Sequence, residues 1–141
     1  MASGRLFDAS ALVDLLVGTE GRTVDIDVVF DEAILDLTIY ETANAVWKIG
    51  IALDRLADDD VDEAVALLDK LTREMRIESA VTTDLERAVE LARRVGLTVY
   101  DAAYLAVAER DELAVVTEDR ALRDGCLREE IPVETVADLT G

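Results

Sequence analysis

The sequence predicts an α/β fold, a three-layer α/β/α sandwich built on a mostly parallel sheet. Short apolar runs alternate along the chain with longer stretches in which apolar residues recur every three or four positions. This alternation of strand and helix is typical of a parallel sheet with helices on both faces. The chain has 141 residues, about half of them apolar, so we expect residues 1–141 to form a single domain.

The first half of the chain begins with a predicted strand over residues 5–7. Ser10 is a natural N-cap for the helix that follows, and Gly18 is a natural stop for it. The run "AILDLTI" at 33–39 predicts a strand that leads into a helix over residues 40–53.

An amphipathic helix is predicted over residues 61–75, with Asp58, Asp59 and Asp60 ahead of it, where the helix dipole favours anions. Thr83 and Glu86 form a capping-box pattern at the start of another helix, which Gly96 ends. The remaining predicted elements are a strand over 77–81, a helix over 99–110, a strand over 113–117, a short helix over 119–125 and an edge strand over 131–136, which tolerates Pro132. Residues 19–31 are compatible with a strand or a loop.

The chain is strongly acidic, with 32 Asp and Glu against 14 Lys and Arg and a formal net charge of −18. Its regularly spaced apolar residues nevertheless predict a folded protein rather than a disordered one. Abundant acids with only Lys48 and Lys70 as lysines resemble the composition of proteins from extreme halophiles. In that interpretation the acidity reflects a salt-rich solvent, which screens the self-repulsion of the fold.

The chain contains no histidine and a single cysteine, Cys126. This composition excludes nucleophiles paired with histidine, imidazole bases, histidine-bound zinc, cysteine-rich zinc sites and an internal disulfide. We expect Cys126 to be a small buried apolar residue. The start of the chain lacks an unbroken apolar segment, and nothing approaches the length of a membrane span, so we expect a soluble, cytoplasmic protein with no membrane contact.

Four acids fall at strand ends or at the starts of neighbouring helices: Asp8, Glu41, Asp101 and Asp119. Ligands of open parallel sheets bind at this edge. Carboxylates gathered there would form an oxygen-only site that suits Mg²⁺ or Mn²⁺. In the simpler interpretation, Asp119 and Asp101 belong to helix caps, the latter with Thr98. In that interpretation, Glu41 is an acid at the start of a helix, where its charge interacts favourably with the helix dipole, and Asp8 is a solvated loop acid. Both interpretations stay open, because strand ends and helix starts coincide here.

Four motifs together resemble the PIN-domain ribonucleases, and within them the VapC-type toxins of toxin–antitoxin pairs. They are "LFDASAL" at 6–12, "YETANAV" at 40–46, "VYDAAYLAVAE" at 99–109 and "VVTEDRAL" at 115–122. The resemblance implies a sheet of about five parallel strands. It also implies a set of catalytic and metal-binding acids: Asp8, Glu41, Asp101 and Asp119. Asn44 matches a polar position one turn after Glu41, while Ser10 and Thr117 match hydroxyls beside the acids.

The activity that this resemblance implies is metal-dependent cleavage of RNA by an endoribonuclease, with Mg²⁺ or Mn²⁺ as the cofactor. A cognate antitoxin and a homodimer are implied as partners. The chain has no basic run, and scattered arginines are the candidates for phosphate contacts: Arg93, Arg94, Arg120 and Arg123. We expect Trp47 and the tyrosines to lie in the core or in a dimer contact.

Several other function classes remain as alternatives. A phosphoaccepting receiver domain needs paired acids after its first strand and a late lysine, and both are missing here. A haloacid-dehalogenase-type phosphatase needs a second acid at the position of Ser10. A standalone RNA-processing PIN nuclease would lack an antitoxin, and a noncatalytic PIN-fold binding module would not need all four acids.

Overall fold

The computed structural model describes residues 3–18, 25–79 and 84–139. Within these ranges the chain forms five strands and six α-helices, in the order β1 (Arg5–Phe7), α1 (Ala9–Val17), β2 (Ala33–Leu35), α2 (Thr38–Trp47), α3 (Asp58–Arg73), β3 (Arg76–Glu78), α4 (Leu85–Val95), α5 (Val99–Asp111), β4 (Ala114–Val116), α6 (Arg120–Arg128) and β5 (Val133–Glu134). A π-helical segment, Lys48–Ala52, continues α2, and short 3₁₀ helices form at Ile26–Val29 and Val136–Leu139.

The five strands form one parallel sheet in the order β3-β2-β1-β4-β5. Leu6 of the central strand lies opposite Ala33 of β2 on one side and Val115 of β4 on the other. The prediction of a parallel sheet is therefore confirmed. The strand that follows Pro132 lies at an edge, where a residue without an N–H is tolerated.

Successive strand residues point to opposite faces of the sheet and build two separate cores. Leu6 and Val115 pack with buried residues of α4, α5 and α6, among them the fully buried Cys126. Phe7 and Val116 pack with buried residues of α1 and α3, and α2 contacts both of these helices. The chain is thus the predicted three-layer α/β/α sandwich.

Helix boundaries follow the local chemistry at several predicted positions. Gly18 and Gly96 end α1 and α4 with φ of 72° and 73°, a backbone conformation that glycine adopts without strain. The three acids Asp58–Asp60 occupy the first turn of α3, where the helix dipole stabilises negative charge.

Two boundary predictions are wrong. The N-cap of α1 is Asp8, whose side chain accepts a hydrogen bond from the N–H of Ala11, and Ser10 lies within the helix. The predicted strand over 33–39 ends at Leu35, and α2 begins at Thr38. Thr38 Oγ1 accepts a hydrogen bond from the N–H of Leu35 at 3.1 Å, and this side-chain bond marks the change from strand to helix.

Three other predictions concern segments that lie partly outside the described residues. Residues 26–29 form a short 3₁₀ helix, so the strand alternative is wrong there, and residues 19–24 lie outside the described ranges. Thr83 also lies outside them, so the capping box stays a prediction, although Glu86 does occupy the first turn of α4. The strand expected over 77–81 covers Arg76–Glu78 in the described part.

The aromatic side chains differ in burial more than the sequence predicts. Tyr104 is 2% exposed and belongs to the core, whereas Tyr40, Tyr100 and Trp47 are 79%, 65% and 48% exposed. A core role is therefore wrong for these three, and a dimer contact stays a prediction. Among the described residues, every helix is too short or too polar to cross a bilayer.

Candidate active site

The strand order creates a crevice beside the central strand β1. From β1 the chain continues to β2 and β3 on one side of the sheet, while β4 and β5 lie on the other side. The loops after β1 and β4 therefore lead to helices on opposite faces, and ligands of such sheets bind in the opening between these loops. Asp8 follows β1 directly, and Thr117 and Asp119 follow β4.

Asp8 is almost fully buried, with 5% of its surface exposed. Its Oδ1 accepts hydrogen bonds from Ser10 Oγ at 2.7 Å and from the N–H of Ala11 at 2.9 Å. Its Oδ2 accepts a short hydrogen bond from Thr117 Oγ1. Burial raises the pKa of Asp8 from 3.8 to about 6, because these donors offset only part of the desolvation and the charge of Asp119 adds to it. Asp8 is thus not the solvated loop acid of the simpler interpretation.

Ser10 and Thr117 connect the two loops that line the crevice. Their hydroxyl oxygens are 3.2 Å apart, and Ser10 Oγ accepts a hydrogen bond from the N–H of Glu118 at 2.9 Å. Thr117 Oγ1 accepts one from the N–H of Asp119 at 3.0 Å. Both hydroxyls therefore lie beside Asp8, in agreement with the family resemblance.

Asp119 is exposed and caps α6. Its Oδ1 accepts hydrogen bonds from the N–H groups of Ala121 and Leu122, at 2.8 and 3.2 Å. The simpler interpretation of Asp119 as a cap is therefore correct as geometry. It does not exclude a second role, because both bonds go to the same carboxylate oxygen.

Glu41 and Asp101 come from the first turns of two different helices. Glu41 is in α2 and accepts a hydrogen bond from Tyr104 Oη at 3.3 Å. Asp101 is in α5, where its N–H donates to Thr98 Oγ1 at 3.2 Å, so the predicted cap at Thr98 is present. Burial raises the pKa of both carboxyl groups above their usual range.

Each of the four acids takes part in electrostatic repulsion with at least one of the others. The charge of Asp119 raises the pKa of Asp8 and of Asp101, and the charge of Asp101 raises the pKa of Glu41. The salt bridges formed among the described residues include none of these four acids. The cluster is therefore a concentration of negative charge in which, among the described residues, no carboxylate is paired with a cationic side chain in a salt bridge.

The chemistry of this cluster fits a divalent cation. Carboxylates, hydroxyls and waters are the oxygen ligands that Mg²⁺ and Mn²⁺ prefer. A cation would also relieve the repulsion that, together with burial, raises the pKa of Asp8, Glu41 and Asp101. Over residues 3–18, 25–79 and 84–139, no three carboxylates already converge on a single ion position. Waters and substrate oxygens would therefore complete the coordination, as is usual for Mg²⁺.

Asn44 lies one helical turn after Glu41 on α2 and is exposed. In the described part of the chain no hydrogen bond joins its side chain to the acids. It shares a face of the helix with Glu41, because residues three apart are neighbours on a helix surface.

Two of the four arginines predicted to meet phosphates lie beside Asp119. Arg120 and Arg123 line a hollow of about 210 Å³ together with Thr117, Asp119 and Thr135. Arg94, in contrast, forms a salt bridge with Glu129 at 3.2 Å, next to the end of α6.

The sequence does not reveal that the hydroxyls of Tyr104 and Thr38 form a line of hydrogen bonds that ends at Glu41. Apolar spacing predicts only packing for Tyr104, yet its hydroxyl reaches Glu41 and lies 2.7 Å from Thr38 Oγ1. Its spacing of three residues from Asp101 on α5 is the available signal, since residues three apart share a helix face.

Comparison with known proteins gives matches along most of the chain. Residues 5–126 match the PIN domain family. The chain is 40% identical over 90 residues to exonuclease VapC9 of Pyrobaculum aerophilum, covering 64% of this chain and 63% of that protein, which is less than two thirds of its length. It is 34% identical over 121 residues to ribonuclease VapC3 of the same organism, covering 83% of this chain and 90% of that protein.

Solved structures share the fold. The crystal structure of PAE2754 from Pyrobaculum aerophilum superposes with a TM-score of 0.74 at 33% identity, over 96% of this chain and 85% of the other. A toxin–antitoxin complex from Klebsiella pneumoniae gives a TM-score of 0.56 at 21% identity, over 82% and 87% of the two chains. The second likeness concerns the fold alone.

Proposed function

Because this chain belongs to the PIN-domain family, we propose that it is a metal-dependent endoribonuclease that acts as the toxin of a type II toxin–antitoxin pair. The observation that carries the proposal is the cluster of four carboxylates at the crevice beside β1, without a salt-bridge partner among the described residues. The names of its relatives, an exonuclease and a ribonuclease, support a nuclease that hydrolyses phosphodiester bonds.

In this proposal, Asp8, Glu41, Asp101 and Asp119 hold Mg²⁺ or Mn²⁺. The chemistry that such an ion supplies is activation of a water for attack on phosphorus and neutralisation of the charge that grows on the leaving oxygen. Asp8 is fixed by its three hydrogen-bond donors, and Asp119 is fixed by its cap on α6.

The hydroxyl and amide side chains take supporting roles. Ser10 and Thr117 hold Asp8 and keep the loops after β1 and β4 together. Asn44, exposed one turn from Glu41, contacts the substrate near the scissile bond. Arg120 and Arg123 contribute positive charge at the hollow beside Asp119, and they contact RNA phosphates next to the site of cleavage.

A circular RNA distinguishes endonuclease from exonuclease activity, and one of the two relatives is named an exonuclease. An endoribonuclease opens a circular substrate, whereas an exonuclease needs a free end. We expect the purified protein to linearise circular RNA with Mg²⁺ or Mn²⁺ and to leave it intact with EDTA. Degradation confined to linear RNA would replace the endonuclease assignment with an exonuclease one.

The toxin assignment implies a cognate antitoxin. The uncompensated acids favour an antitoxin segment that places an arginine in the cluster, because charge complementarity speeds such an encounter. Expression of the chain alone should arrest growth, and co-expression of the product of a short adjacent gene should restore it and co-purify with the chain. Normal growth together with RNA cleavage in vitro would favour a standalone RNA-processing nuclease.

We also propose a homodimer. Tyr40 and Trp47 on α2 are 79% and 48% exposed, although large aromatic side chains usually gain stability from burial. Light scattering after size exclusion in high KCl should give twice the mass of the chain, and the Trp47→Ser variant should shift that mass towards the monomer.

A further inference from the structure

Glu41 is reached by a line of hydrogen bonds that begins on the backbone of β2. The N–H of Leu35 donates to Thr38 Oγ1 at 3.1 Å, and Thr38 Oγ1 lies 2.7 Å from Tyr104 Oη. Tyr104 Oη then donates to Glu41 Oε1 at 3.3 Å. The line joins the sheet to α5 and then to the acid on α2.

The direction of the protons along this line is fixed by its two ends. A backbone N–H can only donate, so Thr38 Oγ1 accepts from Leu35. Tyr104 has one hydroxyl proton, which it donates to Glu41, so the proton between the two hydroxyls belongs to Thr38. All three bonds therefore point towards the Glu41 carboxylate, and bonds aligned in this way strengthen one another.

The two hydroxyls belong to buried side chains. Thr38 is fully buried, and Tyr104 is 2% exposed with its ring in the core on the α4–α6 side of the sheet. Tyr104 also stands one turn after Asp101 on the same helix. A single buried side chain thus connects the helix that carries Asp101 with the carboxylate of Glu41.

We propose that Tyr104, supported by Thr38, is a positioning residue that orients the Glu41 carboxylate relative to Asp101 for a divalent cation. The inference rests on the metal site of the proposed function, and it assigns to Tyr104 a role in that site. Outer partners of metal ligands orient the ligand and typically change metal affinity by about 10- to 100-fold when they are removed.

The Tyr104→Phe variant tests the inference because it removes the hydroxyl and keeps the buried ring. Calorimetric titration with Mn²⁺, without RNA, should show an affinity about 10-fold or more below that of the unmodified protein. Tyr100→Phe is the matched control, because it makes the same change on the same helix at an exposed ring, and its Mn²⁺ affinity should be unchanged.

A second pair of variants tests Thr38. Thr38→Val removes the hydroxyl and should weaken Mn²⁺ binding, whereas Thr38→Ser keeps the hydroxyl and should retain the affinity. Raising the Mn²⁺ concentration should restore RNA cleavage by Tyr104→Phe, since a positioning defect lowers metal occupancy.

The outcomes separate this inference from the proposed function. Equal Mn²⁺ affinity for Tyr104→Phe and the unmodified protein, with a lowered melting temperature, would make Tyr104 a core residue and overturn the inference, even if RNA is cleaved. Intact RNA with the unmodified, Mn²⁺-bound protein would overturn the nuclease assignment, while the calorimetric comparison would still decide the role of Tyr104. Failure of the unmodified protein to bind either Mn²⁺ or Mg²⁺ would overturn both.

Discussion

Asp8 shows how a single residue serves both the fold and the site. It ends β1, caps α1 and holds the hydroxyl of Thr117 from the loop after β4. A capping carboxylate at a strand end is common, but this one is 5% exposed and repelled by Asp119. The free energy gained from its three donors is therefore opposed by the cost of burying its charge.

The pKa of Asp8 predicts how the stability of the metal-free protein changes with pH. A carboxyl group with a folded-state pKa of about 6, against 3.8 ordinarily, binds its proton more tightly in the folded state. The free energy of unfolding therefore falls as the pH rises from about 4 to about 6, by about 3 kcal/mol from this group, and levels off above that range. Urea unfolding in EDTA should show this decrease, and the Asp8→Asn variant should lack it. A pH profile shared by both proteins would remove Asp8 as the cause.

Asp101 distinguishes a helix cap from a metal ligand. If it only completes the cap with Thr98, Asp101→Asn should change stability by at most about 1 kcal/mol and leave cleavage intact. If Asp101 is a metal ligand, Asp101→Asn should weaken Mn²⁺ binding. It should also reduce the rate of RNA cleavage by more than the roughly 10- to 100-fold that is typical when an outer partner of a ligand is removed. It should also stabilise the metal-free protein slightly at neutral pH, because the raised pKa of Asp101 reflects burial and repulsion that Asn does not experience. Cleavage assays, calorimetry and melting temperatures measure the three effects, and full cleavage by the variant would remove Asp101 from the site.

The positions of the acids could be predicted from the sequence because parallel strands bring their carboxyl ends to one edge. Asp8 and Asp119 lie at this edge because each follows a parallel strand. The rule needs only the strand ends, so it holds for Asp8 although the sequence predicts Ser10 as the cap of α1. Tyr104 escapes prediction for a physical reason. Its ring satisfies the apolar spacing of α5, and nothing in that spacing reveals where the hydroxyl points.

At the scale of elements, the boundary between β2 and α2 shows where sequence patterns stop being informative. The run at 33–39 has the apolar character of a strand, yet the strand ends at Leu35. The N–H of Leu35 donates to the hydroxyl of Thr38, and such local competition between side chains and strand pairing is invisible to periodicity. Glu41 still lies in the first turn of the helix, as predicted, although α2 begins two residues earlier than the sequence indicates.

Helix α6 offers a matched test of RNA binding. Arg120 and Arg123 line the hollow beside Asp119, whereas Arg128 is exposed at the other end of the same helix. Arg120→Gln and Arg123→Gln should each raise the Kd for single-stranded RNA and reduce the slope of log K against log salt by about 0.7 for each phosphate that the variant no longer neutralises. Arg128→Gln changes the net charge equally and should leave both quantities unchanged. Fluorescence anisotropy over a KCl series measures them, and equal weakening by all three variants would indicate a general charge effect without a phosphate site.

At the scale of the whole molecule, charge is distributed unevenly. Arg110 binds Glu78, Asp84 and Asp111 at once, and Arg5 joins Glu32 to Glu134 across the sheet. The excess of acids leaves many carboxylates without a cation, including pairs of like charge. On α3, Asp58 and Asp62, and likewise Asp59 and Glu63, are four residues apart and therefore adjacent on the helix surface.

The net charge of −18 predicts that the fold gains stability steeply from low to molar KCl. Repulsion between exposed carboxylates acts over a Debye length of about 10 Å at 0.1 M salt and only about 3 Å at 1 M. Circular dichroism melts in EDTA should therefore show a rising melting temperature across that range. The double variant Asp62→Asn, Glu63→Gln removes both of these like-charge pairs on α3. Its melting temperature should therefore be higher than that of the unmodified protein at low salt and approach the same value at 1 M.

A melting temperature that is independent of KCl would contradict the halophilic interpretation. If the difference in melting temperature between the two proteins persists at 1 M KCl, its cause is helix propensity and not repulsion. Only repulsion is screened by salt.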